Sequence, residues 1–542
     1  MMGLFRTSVP WSWFILIVVA VGLPTEAAGT ETKARFADSK SVGLAADPEP
    51  LLRIPETGPL RLTLAGAVIM AMENNRSLIV ERLTPRIRET AIDEERAVFD
   101  PLAEGEITVE RNDQKSRSGG SLVENVEETD SALLSLRQLF PTGTTVAIEA
   151  GAEIIDSSLY RDPFTSTAMQ LSVTQALQRG FGTETNTARL RQAELDVRIS
   201  EYELKGFGEA LVARVESTYW DLALARRQVS IVEESLHLAE QQLEETKQMI
   251  AVGTLAEAEL PAVQAEVASQ RQGLITANGE LDSLRLELLC LLNPPTRSCW
   301  DREVELVHSP ELPEIELGSV AEHVAMAMQM RPEIHQARLA IQRNTLEVVQ
   351  TKNGLLPRLD LFVQLGKTGY ADSFSGAFAD MDGRHYTIQA GVGFEYPPGN
   401  RAAQARHRRA RLEVQQAEKA LANLVELVEL DVRKAYIDVN RTRQQIAAST
   451  ATRQFQEEKN RIETEKFRVG RSTSFLVAQA QRDLLSSRIA EVKAVVDYLK
   501  ALTDLFRMDG SLLVRRGLTV APLTPTDPGT EQPAGQGSNS TP

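Results

Sequence analysis

Cysteine, histidine and long apolar runs are scarce in this 542-residue chain and an excess of positive charge is missing, and each lack excludes a class of protein. Two cysteines, Cys290 and Cys299, cannot staple a small disulfide scaffold, and without histidines beside them they make no zinc site. They bracket LLNPPTRS, and an oxidising envelope compartment leaves them the option of pairing. The six histidines (His237, His308, His323, His335, His385 and His407) are scattered with none at ligand spacing, so no metal and no cofactor is expected. With a net charge of −16 the chain lacks the dense basic face that a phosphate backbone demands, which argues against nucleic acid. Arg401, Arg406, Arg408, Arg409 and Arg411 form one short basic run, which reads as a solvated or headgroup-facing surface.

The apolar runs are short. Arg6, the stretch Phe14 to Leu23, and then Ala27, Ala28 and Gly29 follow the order of a secretory leader, predicted over 1–27. That stretch is too short for a bilayer span of roughly 20 residues. No cysteine lies near the cleavage site, so a lipid on an N-terminal cysteine is not expected. Elsewhere no apolar stretch is long enough to span, so a membrane crossing would require a closed β-barrel, which satisfies every backbone group within itself. Catalytic signatures are missing too. Gly391-Val392-Gly393 sits in a predicted strand without the helix a dinucleotide fingerprint needs, and no nucleophile elbow or phosphate loop occurs. An enzyme is not expected.

What the chain does have is a pair of matching halves. MAMENNRSLIVERL (70–83) recurs as MAMQMRPEIHQARL (326–339), and Pro101 as Pro357, both at an offset of 256. TYWDLALARRQV (218–229) recurs as AYIDVNRTRQQI (435–446), and Val252-Gly253 as Val469-Gly470, at an offset of 217. Such a period implies two copies of a domain-sized unit rather than a solenoid. The difference between the offsets places 39 additional residues between Pro101 and Tyr219, enough for one more hairpin.

The periodicities fill in the units. Thr63 should cap a helix over about 64–98, ended by Pro101. Ala103, Gly105, Ile107 and Val109 then alternate with Glu104, Glu106, Thr108 and Glu110, as Leu359, Leu361, Val363 and Leu365 alternate with polar residues in the second half. Period two with one apolar face predicts strands, and further ones are expected at about 131–139, 144–153, 167–177 and 385–396. Four strands fall in the first half and two in the second, with polar loops expected at 112–121 and 371–384.

Long helices follow. Val215, Leu222, Val229, Leu236, Leu243 and Ile250 recur every seven residues in a proline-free helix predicted over about 184–252. After the turn a second helix returns with Leu260, Val267, Leu274, Leu281 and Leu288. Val425, Val432, Val439 and Ile446, then Ala480, Ser487, Ala494 and Ala501, repeat the plan around Gly470. Sustained heptads predict antiparallel coiled-coil hairpins.

The order of these features resembles the TolC-like outer-membrane efflux proteins, over about residues 60–517. It rests on LTLAGAVIMAMENN and its repeat at 317–331, YWDLALARRQV, the two VG turns and the two strand–helix halves. The resemblance implies a helix-dominated homotrimer in which the protomers share a transmembrane β-barrel in the outer-membrane lipid. Its coiled-coil hairpins would form a periplasmic α-barrel that meets a periplasmic adaptor and an inner-membrane transporter. Under this reading residues 28–59 are a tether, 60–300 the first repeat, 301–518 the second, and 519–542 a disordered tail. The function implied is the outer-membrane channel of a tripartite efflux or type I secretion system. A non-conducting coiled-coil scaffold spanning the envelope is the alternative.

Two departures from the family stand out. The strand count is one hairpin more than characterised members usually contribute. The positions that often carry acidic residues after the second VG turn hold Leu476 and Gln479, whereas the first turn is followed by Glu259. The aperture residues are therefore Glu259, Leu476 and Gln479. Glu259 reads either as an acidic ring or as a solvated carboxylate, and Leu476 as an apolar constriction or as seam packing. Bonds that lock the tip in relatives would fall on Ser472 and on Phe467, whose ring cannot hydrogen-bond as a Tyr could, with Arg471 as a neighbouring substitute. Gly253, Thr254, Leu255, Gly470, Arg471 and Ser472 either dock the adaptor or only form turns.

Overall fold

The computed structural model describes residues 59–118, 121–157, 162–294, 300–313, 317–383 and 385–522. The leader, nearly all of the tether, Cys299 and the end of the tail lie outside the described residues. Among these residues helix dominates, with one large sheet and one small one. Among the described residues no helix is long and apolar enough to cross a membrane.

The chain opens with β1 (Leu60–Leu62) and the helices α1 (Leu64–Asn74), α2 (Arg76–Glu81) and α3 (Thr84–Ala97). Thr63 caps α1 as expected, its hydroxyl accepting from Gly66 N at 3.0 Å. The single helix predicted over 64–98 is nevertheless three. Asn75 leaves helical geometry (φ −63°, ψ 121°), its carboxamide oxygen caps α2 at Leu78 N, and its amide donates to Leu291 O at 2.9 Å. A side chain that offers the backbone a competing partner ends one helix and starts the next. The equivalent stretch further on breaks alike: α7 (Val320–Met330) stops at Arg331 (φ −63°, ψ 125°) and α8 (Pro332–Asn353) begins on a proline.

Six strands make one antiparallel sheet: β2 (Leu102–Ser118), β3 (Ser121–Leu139), β4 (Thr144–Ser157), β5 (Phe164–Ala176), β7 (Arg358–Ala371) and β8 (Tyr386–Glu395). The remaining strand, β6 (Val304–Leu306), pairs in parallel with β1. All four strands of the first half therefore join the two of the second. Register confirms the expected faces. Ala103, Leu136, Ile148, Leu171, Leu365 and Ile388 form one row across the sheet, and Glu104, Ser135, Glu149, Gln170, Gly366 and Thr387 a row on the other face. β2 and β8 are its edges.

Both expected loops are corrected. Residues 112–118 continue β2, paired with 121–127 of β3, so that the hairpin runs on past the end of β4. The backbone pairs there whatever the polarity of the side chains, and Arg111 meets Glu128 at 2.7 Å across the ladder. In 371–384 a short helix, α9 (Phe374–Asp380), interrupts the connection, capped by the Ser373 hydroxyl.

Two outgoing helices leave the sheet. After α4 (Thr183–Asn186), α5 (Ala188–Ala251) has 64 residues, about 96 Å at 1.5 Å each. Its partner α6 (Leu260–Leu292) has 33. Likewise α10 (Arg401–Arg468) has 68 residues and returns as α11 (Ser474–Met508) with 35, followed by α12 (Leu512–Arg515). The outgoing helices are thus about twice as long as their partners, and their sheet-proximal halves pack on α3 and α8 instead. The heptad seams are buried as the sequence predicts: Val215, Leu222 and Val229 in α5, Val432, Val439 and Ile446 in α10, Ala480, Ser487 and Ala494 in α11.

Between sheet and tips, β1, β6, α1 and the last turns pack on the middle of α5 around Tyr219, whose hydroxyl donates to Leu62 O at 3.2 Å. Burial pushes that phenol up from its ordinary value of 10.0.

Candidate functional site at the hairpin tips

The tips begin with glycine because the helices must stop abruptly. Gly253 (φ +78°) and Gly470 (φ +73°) occupy the left-handed region, where a side chain would be strained. Around the first, Gly253 N donates to Ile250 O and Thr254 N to Met249 O, both at 2.9 Å. Around the second, Gly470 N donates to Phe467 O at 2.9 Å and Arg471 N to Lys466 O at 2.8 Å. Both are Schellman caps, which satisfy the last free carbonyls of the outgoing helices. One turn of 3-10 helix (Glu257–Glu259) then leads into α6, and Thr473 caps α11 by accepting from Leu476 N.

Thr254 and Arg471 are exposed, while Leu255 and Ser472 are half-buried. The residues expected for the aperture separate here. Leu476 (45% exposed) and Gln479 lie on the outside of α11, away from a seam of Val477, Ala478 and Ala480. Phe475, 59% exposed, adds a second apolar side chain beside Leu476.

Glu259 is no isolated carboxylate. It accepts from the backbone N of Ser474 at 3.3 Å and from the Ser474 hydroxyl. It thereby joins the first hairpin to the start of the second hairpin's return helix, and an anion there also meets the positive end of the α11 dipole. Two turns deeper, Arg482 donates to the buried Glu266 at 2.5 Å, and Gln270 donates to the other oxygen of Glu266 at 2.8 Å. Phe467, which has no polar group to bond through, is buried as packing, and the Ser472 hydroxyl donates to Glu463 within its own hairpin at 2.9 Å rather than across hairpins. Sequence reading missed Ser474, Glu266 and Arg482, since nothing local marks residues that meet across 215 positions.

Nearer the sheet lies a band of buried polar groups. Glu216, wholly buried in α5, is held by Arg516 at 2.5 and 2.8 Å and by the Thr503 hydroxyl at 2.7 Å. His323 Nδ1 lies 2.8 Å from Asp509 Oδ2, both buried. Glu209 is buried as well, and desolvation pushes its carboxyl up from 4.5 to about 7 against the pull of Lys205. A cavity of about 540 Å³ adjoins Glu216, lined by Trp220, Phe506 and Leu499 among others. Cys290 is exposed near the end of α6, and Cys299 lies outside the described residues.

With this geometry in hand, comparison with known proteins is informative. The family model described as outer membrane efflux protein matches residues 71–293 and 324–511. No curated protein matches the chain significantly. Among solved structures, the CmeC outer membrane channel of Campylobacter jejuni matches with TM-score 0.63 at 15% identity, covering 83% of this chain and 86% of that one. The outer-membrane channel OprN matches with TM-score 0.62 at 17% identity, covering 82% and 89%. The outer membrane protein VceC of Vibrio cholerae matches with TM-score 0.61 at 14% identity, covering 82% and 96%. At such identities the likeness is one of fold.

Proposed function

The chain belongs to the outer membrane efflux protein family, and from that premise we propose that it is the outer-membrane conduit of a tripartite efflux or type I secretion system. The observation that carries the proposal is the sheet: antiparallel, apolar along one face, polar along the other, and unpaired at both edges among the described residues. An open sheet of that kind is stable in lipid only when its edges close on other strands. Three protomers meet β8 to β2 and complete a barrel whose polar face lines the pore. The breaks at Asn75 and Arg331 and the caps at Gly253 and Gly470 recur at the two offsets found in the sequence, 256 and 217, which supports two internal repeats.

The long helices then extend into the periplasm as an α-barrel ending at the tips. There Gly253, Thr254, Leu255, Gly470, Arg471 and Ser472 dock a periplasmic adaptor, which couples the conduit to an inner-membrane transporter. Leu476 and Gln479 face the aperture, with Leu476 as an apolar constriction that excludes water. Glu259 acts as a latch on Ser474 that holds the two hairpins of a protomer together while the tip is closed.

The test is topological. Cysteine placed at Ser373, on the β7–β8 connection, is labelled by an impermeant reagent from outside intact cells, whereas cysteine at Thr254 is labelled only once the outer membrane is opened. Labelling of Thr254 in intact cells overturns the orientation. Ion conductance in planar bilayers separates the conduit from a non-conducting scaffold.

A further inference from the structure

The short helix α9 lies on the apolar face of the sheet. Thr167 and Gly369, neighbours on that face, receive it: the Thr167 hydroxyl donates to Ala377 O at 3.0 Å, and a Cβ on Gly369 would strike the same carbonyl. Tyr370 N donates to Asp380 at 3.1 Å and fixes the other end. The helix thus covers Thr165 and Thr167, both buried, which would otherwise interrupt the apolar face with hydroxyls. In their place it turns Phe374 and Phe378 outwards, 53% and 59% exposed, with ring centroids 6.5 Å apart. A helix that exchanges a polar patch for two exposed aromatic rings suits the lipid side of a barrel.

Between the end of α9 and the strands runs a groove of about 440 Å³, lined almost wholly by apolar atoms of Ile148, Leu171, Leu365, Met381 and Ile388. Lys367 stands at this groove, on the apolar face between Met169 and Tyr386. It is exposed and has no ion-pair partner among the described residues. A lysine on a lipid-facing strand is costly unless its ammonium reaches an anion, and its flexible stem lets the charge rise along an apolar wall to find one. The register places it in the half of β7 nearest the β7–β8 connection, hence in the outer leaflet under the orientation proposed above.

We propose that this groove is a binding site for one phosphorylated outer-leaflet lipid, an acyl chain lying against Ile148, Leu171 and Ile388 and the phosphate paired with Lys367. The site rests on the reading of the apolar face as lipid-facing. It also gives the β7–β8 connection a purpose that a plain loop would not serve, because α9 forms one wall of the groove.

The experiment is native mass spectrometry of the full-length protein in mild detergent, titrated with lipid A and with its dephosphorylated form. The wild type should retain lipid A about tenfold more tightly, the worth of one charge-assisted contact. Lys367→Gln, a change at an exposed position, should abolish that preference while still retaining the acyl chains. No preference in the wild type, or an undiminished one in Lys367→Gln, overturns the site. Bilayer conductance of both proteins is read in parallel. Conductance without a lipid preference removes the lipid site alone, and a preference without conductance removes the conduit alone.

Discussion

Replacing Glu259 by alanine should shift the proposed channel towards its open state. The carboxylate accepts two hydrogen bonds from Ser474 at the start of α11, and removing it takes away both, together with its attraction to the helix dipole. Hydrogen bonds to charged groups contribute about 1.5–3 kcal/mol when sheltered. Glu259 is half-exposed, so about 1 kcal/mol per protomer is the fitting figure. If three latches release together, as opening of a symmetric tip requires, the sum is about 3 kcal/mol, a factor of roughly 150 in the ratio of open to closed channels. Single-channel recording in planar bilayers reads this directly as open probability. Ser474→Ala should give a smaller effect, because its backbone N–H survives. The double variant should fall short of additivity by about 0.5–1 kcal/mol, the mark of a direct contact. An unchanged open probability in Glu259→Ala, or an additive double variant, would refute the latch.

Three further outcomes follow from the same geometry. The Glu209 carboxyl, raised from 4.5 to about 7 by burial, binds its proton more tightly in the folded state, so its contribution to stability is full below about pH 4.5 and is lost as pH rises through 7. Glu209→Gln should flatten that slope and gain up to about 3 kcal/mol at pH 8, checked by denaturant unfolding across pH; an unchanged slope would exclude Glu209 as its source. Leu476→Ser should raise single-channel conductance without lowering trimer stability in detergent, whereas loss of trimer at constant conductance assigns Leu476 to protomer packing. Replacing Leu255 and Arg471 together by alanine should cut site-specific crosslinking to the proposed adaptor about tenfold, since both lie at the tips and neither side chain is needed for its turn; undiminished crosslinking removes the docking role.

Much of this fold was legible because it is written in periods. Heptads such as Leu222 and Val229 mark a seam whatever lies across it, and Ile107 and Val109 mark a strand face by alternation alone. Val252-Gly253 and Val469-Gly470 were legible as turns since a left-handed residue after a helix favours glycine. The break at Asn75 was not, because its polar side chain sits within an apolar helical pattern and its second partner, Leu291 O, is 216 positions away. α9 was hidden in a segment that reads as loop and takes its place only against Thr167 and Gly369. At the tips, position pointed to Glu259, but its role depends on Ser474, which only the packing of two hairpins brings near.

The ion pair between Glu216 and Arg516 has a consequence in time. The two residues stand 300 positions apart, and the carboxylate is fully buried in the assembled fold. A buried charge without its partner destabilises by about 3–5 kcal/mol, so the middle of the molecule cannot close stably until the helical turn ending at Arg516 has arrived. The middle of the molecule thereby waits on Arg516, and the two ends of a contact that spans most of the chain must meet before it seals.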